Sequence, residues 1–185
     1  MASNLETSFF RLLSKDWFDD VIIDKYLELV TIYGVSIGKK SIAFSTHILD
    51  LCNDHGYDKY ISHYKTAVEE AELLFLPLNV PGHWVLYIYV RELNVLEFYD
   101  SGGGETRKLS ALSNFLKQFN IIKYQLDKRE VFYQQDSFNC GLFVCIFVRY
   151  KINYGDCRKI LSKNLKIERY KVLMELSIGK ILFLL

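Results

Sequence analysis

Cys140 stands where a polar, turn-prone run, Gln134-Gln135-Asp136-Ser137-Phe138-Asn139, meets a nearly all-apolar one, Leu142 to Val148. The apolar run is long enough for a buried helix, which puts Cys140 at or just before its first turn. Free backbone N–H groups and the positive end of the helix dipole favour a thiolate there. Gly141 lets the backbone come close to whatever the sulfur attacks. Gln134, six residues before Cys140, can set a side-chain amide donor beside the sulfur to hold a developing oxyanion. A lone cysteine ahead of an apolar helix is more often a small buried hydrophobe, so nucleophilic chemistry needs a base and an orienter elsewhere in the chain.

Those partners depend on three short aromatic and β-branched segments: Leu73–Leu78, Trp84–Val90 and Val95–Tyr99. Turn signals separate them, and they read as strands. Arg91-Glu92-Leu93-Asn94 joins the last two as an antiparallel hairpin, and Pro77 argues for an edge or a strand end. His83 opens the second strand and Asp100 closes the third, with 16 residues of hairpin between them. In an antiparallel pair the start of one strand lies beside the end of the other, so the two become neighbours. Asp100 would then accept from one imidazole nitrogen, leaving the other for a thiol. Taken singly, His83 is an ordinary strand-end histidine and Asp100 an ordinary residue before a Gly-rich turn. His47, His55 and His63 fall on helical or polar segments without a carboxylate partner and read as surface or packing residues.

The remaining elements must hold these groups. The Asp cluster in Asp16-Trp17-Phe18-Asp19-Asp20 suits an N-cap and first turn for a mostly buried helix through Val30. Trp17, just before it, reads as a core anchor or one wall of a groove. Residues 41–53 suggest a second helix, 108–119 a third, and 123–126 a further strand; the Cys140 helix and one from about Ile167 close the chain. Helices flanking a small, largely antiparallel sheet make an α+β fold.

Composition bounds the rest. The chain has 185 residues, half of them apolar and 15% aromatic, which suits one domain, 1–185, with 1–15 as a short N-terminal extension. No secretory signal opens it, and no apolar run approaches the ~18 residues of a membrane span. Four cysteines, Cys52, Cys140, Cys145 and Cys157, follow no metal-ligand spacing and are expected to stay reduced, so we expect a soluble intracellular protein. Net charge is +1, and nothing resembles a nucleic-acid motif. Residues 1–74 hold twelve acidic and seven basic side chains, and 149–171 hold eight basic and two acidic, a skew that reads first as solvated faces. The apolar terminal run Ile181–Leu185 is expected to pack on the core.

The ordered set resembles the Ulp/SENP cysteine proteases, which process SUMO and related ubiquitin-like modifiers. Trp17-Phe18-Asp19-Asp20 is similar to that family's Trp-Leu-Asn-Asp block, His83-Trp84 to its His-Trp, and Tyr99-Asp100-Ser101 to its Tyr-Asp-Ser. Gln134 through Gly141 is similar to its Gln…Asp-Cys-Gly, and Glu168–Leu176 to its closing helix. The resemblance implies a papain-like fold of the Ulp/adenain type, with no cofactor and no metal. It implies a triad of His83, Asp100 and Cys140, with Gln134 and the Cys140 N–H as oxyanion donors. Trp17 and Trp84 would close over the modifier's Gly-Gly tail, with Asp20 and Gly141 also on the substrate side. Only glycine, lacking a Cβ, fits flat between two rings. The implied partner is a ubiquitin-like modifier and its conjugates, met by a monomer in the nucleus or cytoplasm, with no nucleic acid or membrane involved.

The sequence departs from that pattern in places. Asn139 stands where the family usually has Asp, and Phe18 where it has Leu. Other enzymes of this triad order, viral maturation proteases and acetyl-transferring effectors among them, have no use for paired indoles. A modifier-binding pseudoprotease would have no need of the nucleophile. SUMO is the expected substrate, with the modifier of cullins next and ubiquitin third.

Overall fold

In the computed structural model, residues 5–157 and 164–182 are described. Seven helices and five strands occur among them: α1 (Leu5–Leu13), α2 (Asp20–Ser36), β1 (Ser41–Ala43), α3 (Ile48–His55), α4 (Asp58–Glu70), β2 (Leu73–Val80), β3 (His83–Val90), β4 (Val95–Tyr99), α5 (Leu109–Lys117), β5 (Gln125–Lys128), α6 (Cys140–Tyr154) and α7 (Leu165–Ile178).

The strands form one sheet in the order β1-β2-β3-β4-β5. Its centre, β2-β3-β4, is antiparallel, while each edge strand pairs in parallel, so the sheet is mixed. Helices cover both faces. One apolar cluster joins the sheet to α2, α6 and α7, the other to α3, α4 and α5. A sheet covered on both sides needs continuous rather than alternating apolar strands, and β3 is buried at every position after His83. The result is an α+β domain with helices around the sheet.

Pro77 sits inside β2 rather than at its end, and the ladder accommodates it. Phe75 gives its carbonyl to the Phe44 N–H on the β1 side, and alternate residues of a strand face the same way. Pro77 therefore points toward β1, whose pairing ends at Phe75, and no donor is missed.

α6 runs buried from Cys140 through Ile152. Two cations travel into the core with it, each paired, as a buried charge must be. Arg149 lies between Glu168 and Glu175 of α7, and the Tyr26 hydroxyl donates to Glu175 at 2.6 Å. Lys151 reaches Glu97 of β4 at 2.6 Å.

Residues 41–53 are not one helix. Ser41–Ala43 form β1 against Leu73–Phe75, and the chain then turns where Ser45 Oγ and the Thr46 N–H both donate to Asp24. Only from Ile48 is it helical. A three-residue strand is too short to show periodicity, so its pairing partner decides it. α4 has no counterpart in the sequence reading, since its polar composition gives little apolar pattern. α1 is a packed helix and not a loose extension: Ser8 and Leu12 are buried, and it lies on α7. Ile181 is buried, as its apolar run suggested; residues 183–185 and the His55 side chain lie outside the described residues. No helix among the described residues is long and apolar enough to cross a membrane.

Candidate active site

The β3–β4 ladder ends at the pair Leu86↔Tyr99, the last residue of β4, while β3 runs on past it to His83. This leaves His83 and Asp100 side by side at the frayed edge. His83 Nε2 lies 2.6 Å from Asp100 Oδ1, and the ring also hydrogen-bonds to Cys140. With Nε2 held by the carboxylate, Nδ1 is the nitrogen left for the thiol. The sequence-predicted trio is brought together by three elements: β3 for the base, the end of β4 for the orienter and the first residue of α6 for the nucleophile.

The Gly-rich turn after Asp100 is a cradle for its carboxylate. The Gly102 N–H donates to Oδ1 at 2.7 Å and the Gly104 N–H to Oδ2 at 2.9 Å. A Cβ on Gly104 would stand 2.8 Å from Oδ2, closer than real Cβ contacts allow, so only glycine brings the amide this near. Burial pushes the Asp100 carboxyl up, but the bonds from His83, Gly102 and Gly104 outweigh it and hold the carboxyl below its ordinary value. The hydrogen bonds to Asp100 and then to Cys140 raise His83 to about 9, against the opposing pull of burial. The geometry therefore favours an imidazolium held between a carboxylate and the sulfur.

Gln134 is oriented by two partners. Its Oε1 accepts from Ser101 Oγ at 2.7 Å, and its Nε2 donates to the Asp136 carbonyl at 2.8 Å. A carbonyl only accepts, which fixes which end of the amide carries the NH2. One N–H of that NH2 remains for an oxyanion. The first N–H groups of α6, Cys140 among them, have no carbonyl four residues back within the helix. Gln134 is also pinned through its backbone, whose N–H donates to the Ser101 carbonyl at 2.9 Å.

Trp84, next to His83, is buried, and its Nε1–H donates to the Phe18 carbonyl at 2.9 Å. Trp17 is 38% exposed, with its ring edge beside Gly82, on the other side of His83 in sequence. Trp17 thus meets the residue before His83, and Trp84 is the residue after it, the first partly open and the second fixed. They share a surface groove with Asp20, His47, Asp50 and Asn79. Asp19, not Asp20, caps α2: its Oδ1 accepts the Ile22 N–H at 3.0 Å. Asp20 lies 2.9 Å from His47 Nε2, so His47 has the carboxylate partner that topology did not suggest. His63 packs edge-on against Tyr64.

Gly141 has a packing reason to be glycine. It is buried, and a Cβ there would meet Phe18 Cβ at 2.7 Å and Trp84 at 3.3 Å. Its missing side chain lets α6 pack against the Trp17–Phe18 segment, and the contact it makes is internal. Three positions escaped the sequence reading. Ser101 orients Gln134; Asp136 Oδ1 accepts the Phe138 and Asn139 N–H groups at 3.0 and 2.9 Å, folding the loop before Cys140; and Arg169 holds Asn139. An Asp three residues before Asn139 is a turn signal that could have marked the second.

The family model of the Ulp1 protease family, C-terminal catalytic domain, matches residues 16–177. The chain belongs to the Ulp1 protease family. This is a family of cysteine peptidases, and the triad order of the site agrees with it. A sentrin-specific protease of Caenorhabditis elegans is 25% identical over 181 residues, covering 90% of this chain and 26% of that protein. The chain thus spans about a quarter of that relative. Among solved structures, the Ulp1-like SUMO protease catalytic domain of Chaetomium thermophilum superposes with a TM-score of 0.79 at 16% identity, covering 92% of this chain and 76% of that one. The C-terminal Ulp1 protease domain in complex with Smt3, the yeast ortholog of SUMO, gives 0.74 at 18%, covering 93% and 81%. At these identities the superpositions speak for the fold.

Proposed function

We propose that this chain is a thiol isopeptidase or peptidase that cleaves after the C-terminal Gly-Gly of a ubiquitin-like modifier, SUMO first among them. The observation that carries the reading is the clustering of His83 with Asp100 and Cys140, with Trp17 against Gly82 and Trp84 next to His83 in the chain, the two indoles sharing one surface groove. Two indoles lining one groove suit a tail of glycine, which has no Cβ to fit between them. The kinship to a sentrin-specific protease and the likeness to a domain solved with Smt3 support SUMO over other modifiers.

In the reaction, the Cys140 thiolate attacks the carbonyl carbon of the modifier's last glycine, and a C–S bond forms. Charge moves to the carbonyl oxygen, where the Gln134 amide and the Cys140 N–H meet it. As the C–N bond breaks, the leaving lysine amine takes the proton from His83. Water then attacks the thioester, giving its proton to His83, and the sulfur leaves as thiolate. Asp100 holds the imidazole in one orientation throughout. No step calls for a metal or cofactor. A single catalytic domain acting in the nucleus or cytoplasm, where such conjugates are made, is part of this proposal.

The test varies the tail. A SUMO carrying a C-terminal fluorogenic amide should be turned over, and replacing the penultimate glycine by alanine should lower kcat/KM by about a hundredfold or more, as expected when a pocket rejects a group by collision. Equal turnover of both tails would remove the indoles from the selection.

A further inference from the structure

The guanidinium of Arg169, on α7, makes four hydrogen bonds in one plane. Nε donates to Asn139 Oδ1 at 2.8 Å; Nη1 donates to the carbonyls of Arg11 and Ser14 at 2.6 and 2.8 Å; Nη2 donates to the Asp16 carbonyl at 2.6 Å. Its faces are covered as well, by the Phe18 ring at 4.7 Å and the Phe138 ring at 5.3 Å. The side chain is buried. What it touches is notable for its neighbours. Asn139 precedes the nucleophile. Asp16 precedes Trp17. Phe18 follows Trp17, and its carbonyl holds the Trp84 indole.

Asn139 is wired at both ends. Its Oδ1 takes the Arg169 bond, while its Nδ2 donates to Asp136 Oδ2 at 2.7 Å. An amide can bridge a cation and a carboxylate in this way, and an aspartate at that position could not donate to Asp136. The loop entering α6 is thus tied through Asn139 to a planar cation that also grips the strand of chain carrying Trp17.

We propose that Arg169 is the positioning residue that sets the Cys140 nucleophile and the paired indoles in register with each other. It reaches the sulfur's loop through Asn139 and the indoles through the Asp16–Phe18 segment, so one rigid fork fixes both the attacking atom and the walls that present the tail. Lysine, with a single ammonium, cannot span those four acceptors. The inference rests on Cys140 being the nucleophile, and one of its readouts needs no modifier at all.

The experiment compares wild type, Asn139→Ala and Arg169→Lys, with rates divided by the number of sites titrated by an irreversible thiol reagent. Two quantities are read: turnover of a modifier carrying a C-terminal fluorogenic amide, and alkylation of Cys140 by iodoacetamide, a reagent too small to use the indoles. Asn139→Ala cuts only the link to the nucleophile, so kcat and the alkylation rate should fall by about tenfold or more while KM stays within about twofold, as for a misplaced reacting group. Arg169→Lys should show the same loss in kcat together with a KM raised about fivefold or more. A purely structural arginine would lower the count of active sites and leave both rates per site unchanged; that result overturns the proposal. Should Arg169→Lys fail to fold, Asn139→Ala decides alone, because it keeps the three carbonyl bonds and both ring contacts. If no modifier is turned over by wild type, the cleavage reading fails, and the iodoacetamide rate still tests the positioning role.

Discussion

Trp84 donates its indole N–H to the carbonyl of Phe18, 66 residues away in sequence. The bond joins the residue after His83 to the residue after Trp17, so the two indole-bearing segments are tied into one structure. Trp84→Phe removes the donor and leaves a buried carbonyl unpaired, a cost of about 1–3 kcal/mol. The expected result is a lowered Tm and a raised KM for a modifier substrate, with the iodoacetamide rate at Cys140 little changed. Steady-state kinetics beside alkylation would show it; an equal fall in both would mean that Trp84 supports the nucleophile instead.

Asp100→Asn removes the strongest partner of His83. The hydrogen bond with Asp100 is the largest cause of the His83 value of about 9, so without it the imidazolium loses its proton at lower pH. The alkaline limb of kcat/KM should move down from near pH 9 toward the ordinary histidine range, and the rate should fall by about 10²–10⁴, as loss of effective acid–base catalysis does. Stability follows the same sign. A histidine raised above its unfolded value of about 6.5 stabilises the fold fully below that pH and loses the contribution through about 9. Tm of wild type should decline over that window more steeply than Tm of the variant.

Gly104→Ala tests the cradle. The new Cβ would crowd Asp100 Oδ2 at 2.8 Å and push either the carboxylate or the turn away. A partial form of the Asp100→Asn phenotype is expected, with kcat lower and the alkaline limb shifted the same way. A pH–rate profile superposing on wild type would show that the turn yields without disturbing the carboxylate.

Glu175 meets Arg149, the Tyr26 hydroxyl and the Leu182 N–H in the core. Glu175→Ala leaves a fully buried guanidinium short of a partner, and a loss of about 3–5 kcal/mol in unfolding free energy is expected. Chemical denaturation would measure it. The surviving folded fraction should keep its rate per titrated site, because the partners of Glu175 named here, Arg149, Tyr26 and Leu182, lie apart from the His83–Asp100–Cys140 cluster.

How far the sequence could be read follows from what leaves a local mark. His83 and Asp100 were legible because a hairpin of fixed length turns sequence spacing into spatial closeness. Cys140 was legible because an abrupt change from polar to apolar marks a helix start. The site's supports were not. Arg169 lies 29 residues beyond Cys140 and works through carbonyls of Arg11, Ser14 and Asp16, which any residue type would present. The packing of Gly141 against Phe18 was not legible, because a glycine beside a cysteine carries no mark of what fills the space of its missing side chain. β1 was read as helix because three residues carry no period, and the pairing that decides them lies 32 residues on, at Leu73. His47 finds Asp20 across two elements whose approach no local pattern announces.

Cleavage after Gly-Gly, as proposed, requires that Cys140 take the tail as a covalent intermediate. The most direct test incubates the protein with SUMO, the cullin modifier and ubiquitin, each bearing a C-terminal electrophile, and reads adducts by mass. We predict a single adduct with SUMO on wild type and none on Cys140→Ala. An adduct with only the cullin modifier or ubiquitin would keep the mechanism and change the substrate. No adduct with any of the three, from folded wild-type protein, would overturn the assignment of Cys140 as a Gly-Gly-directed nucleophile.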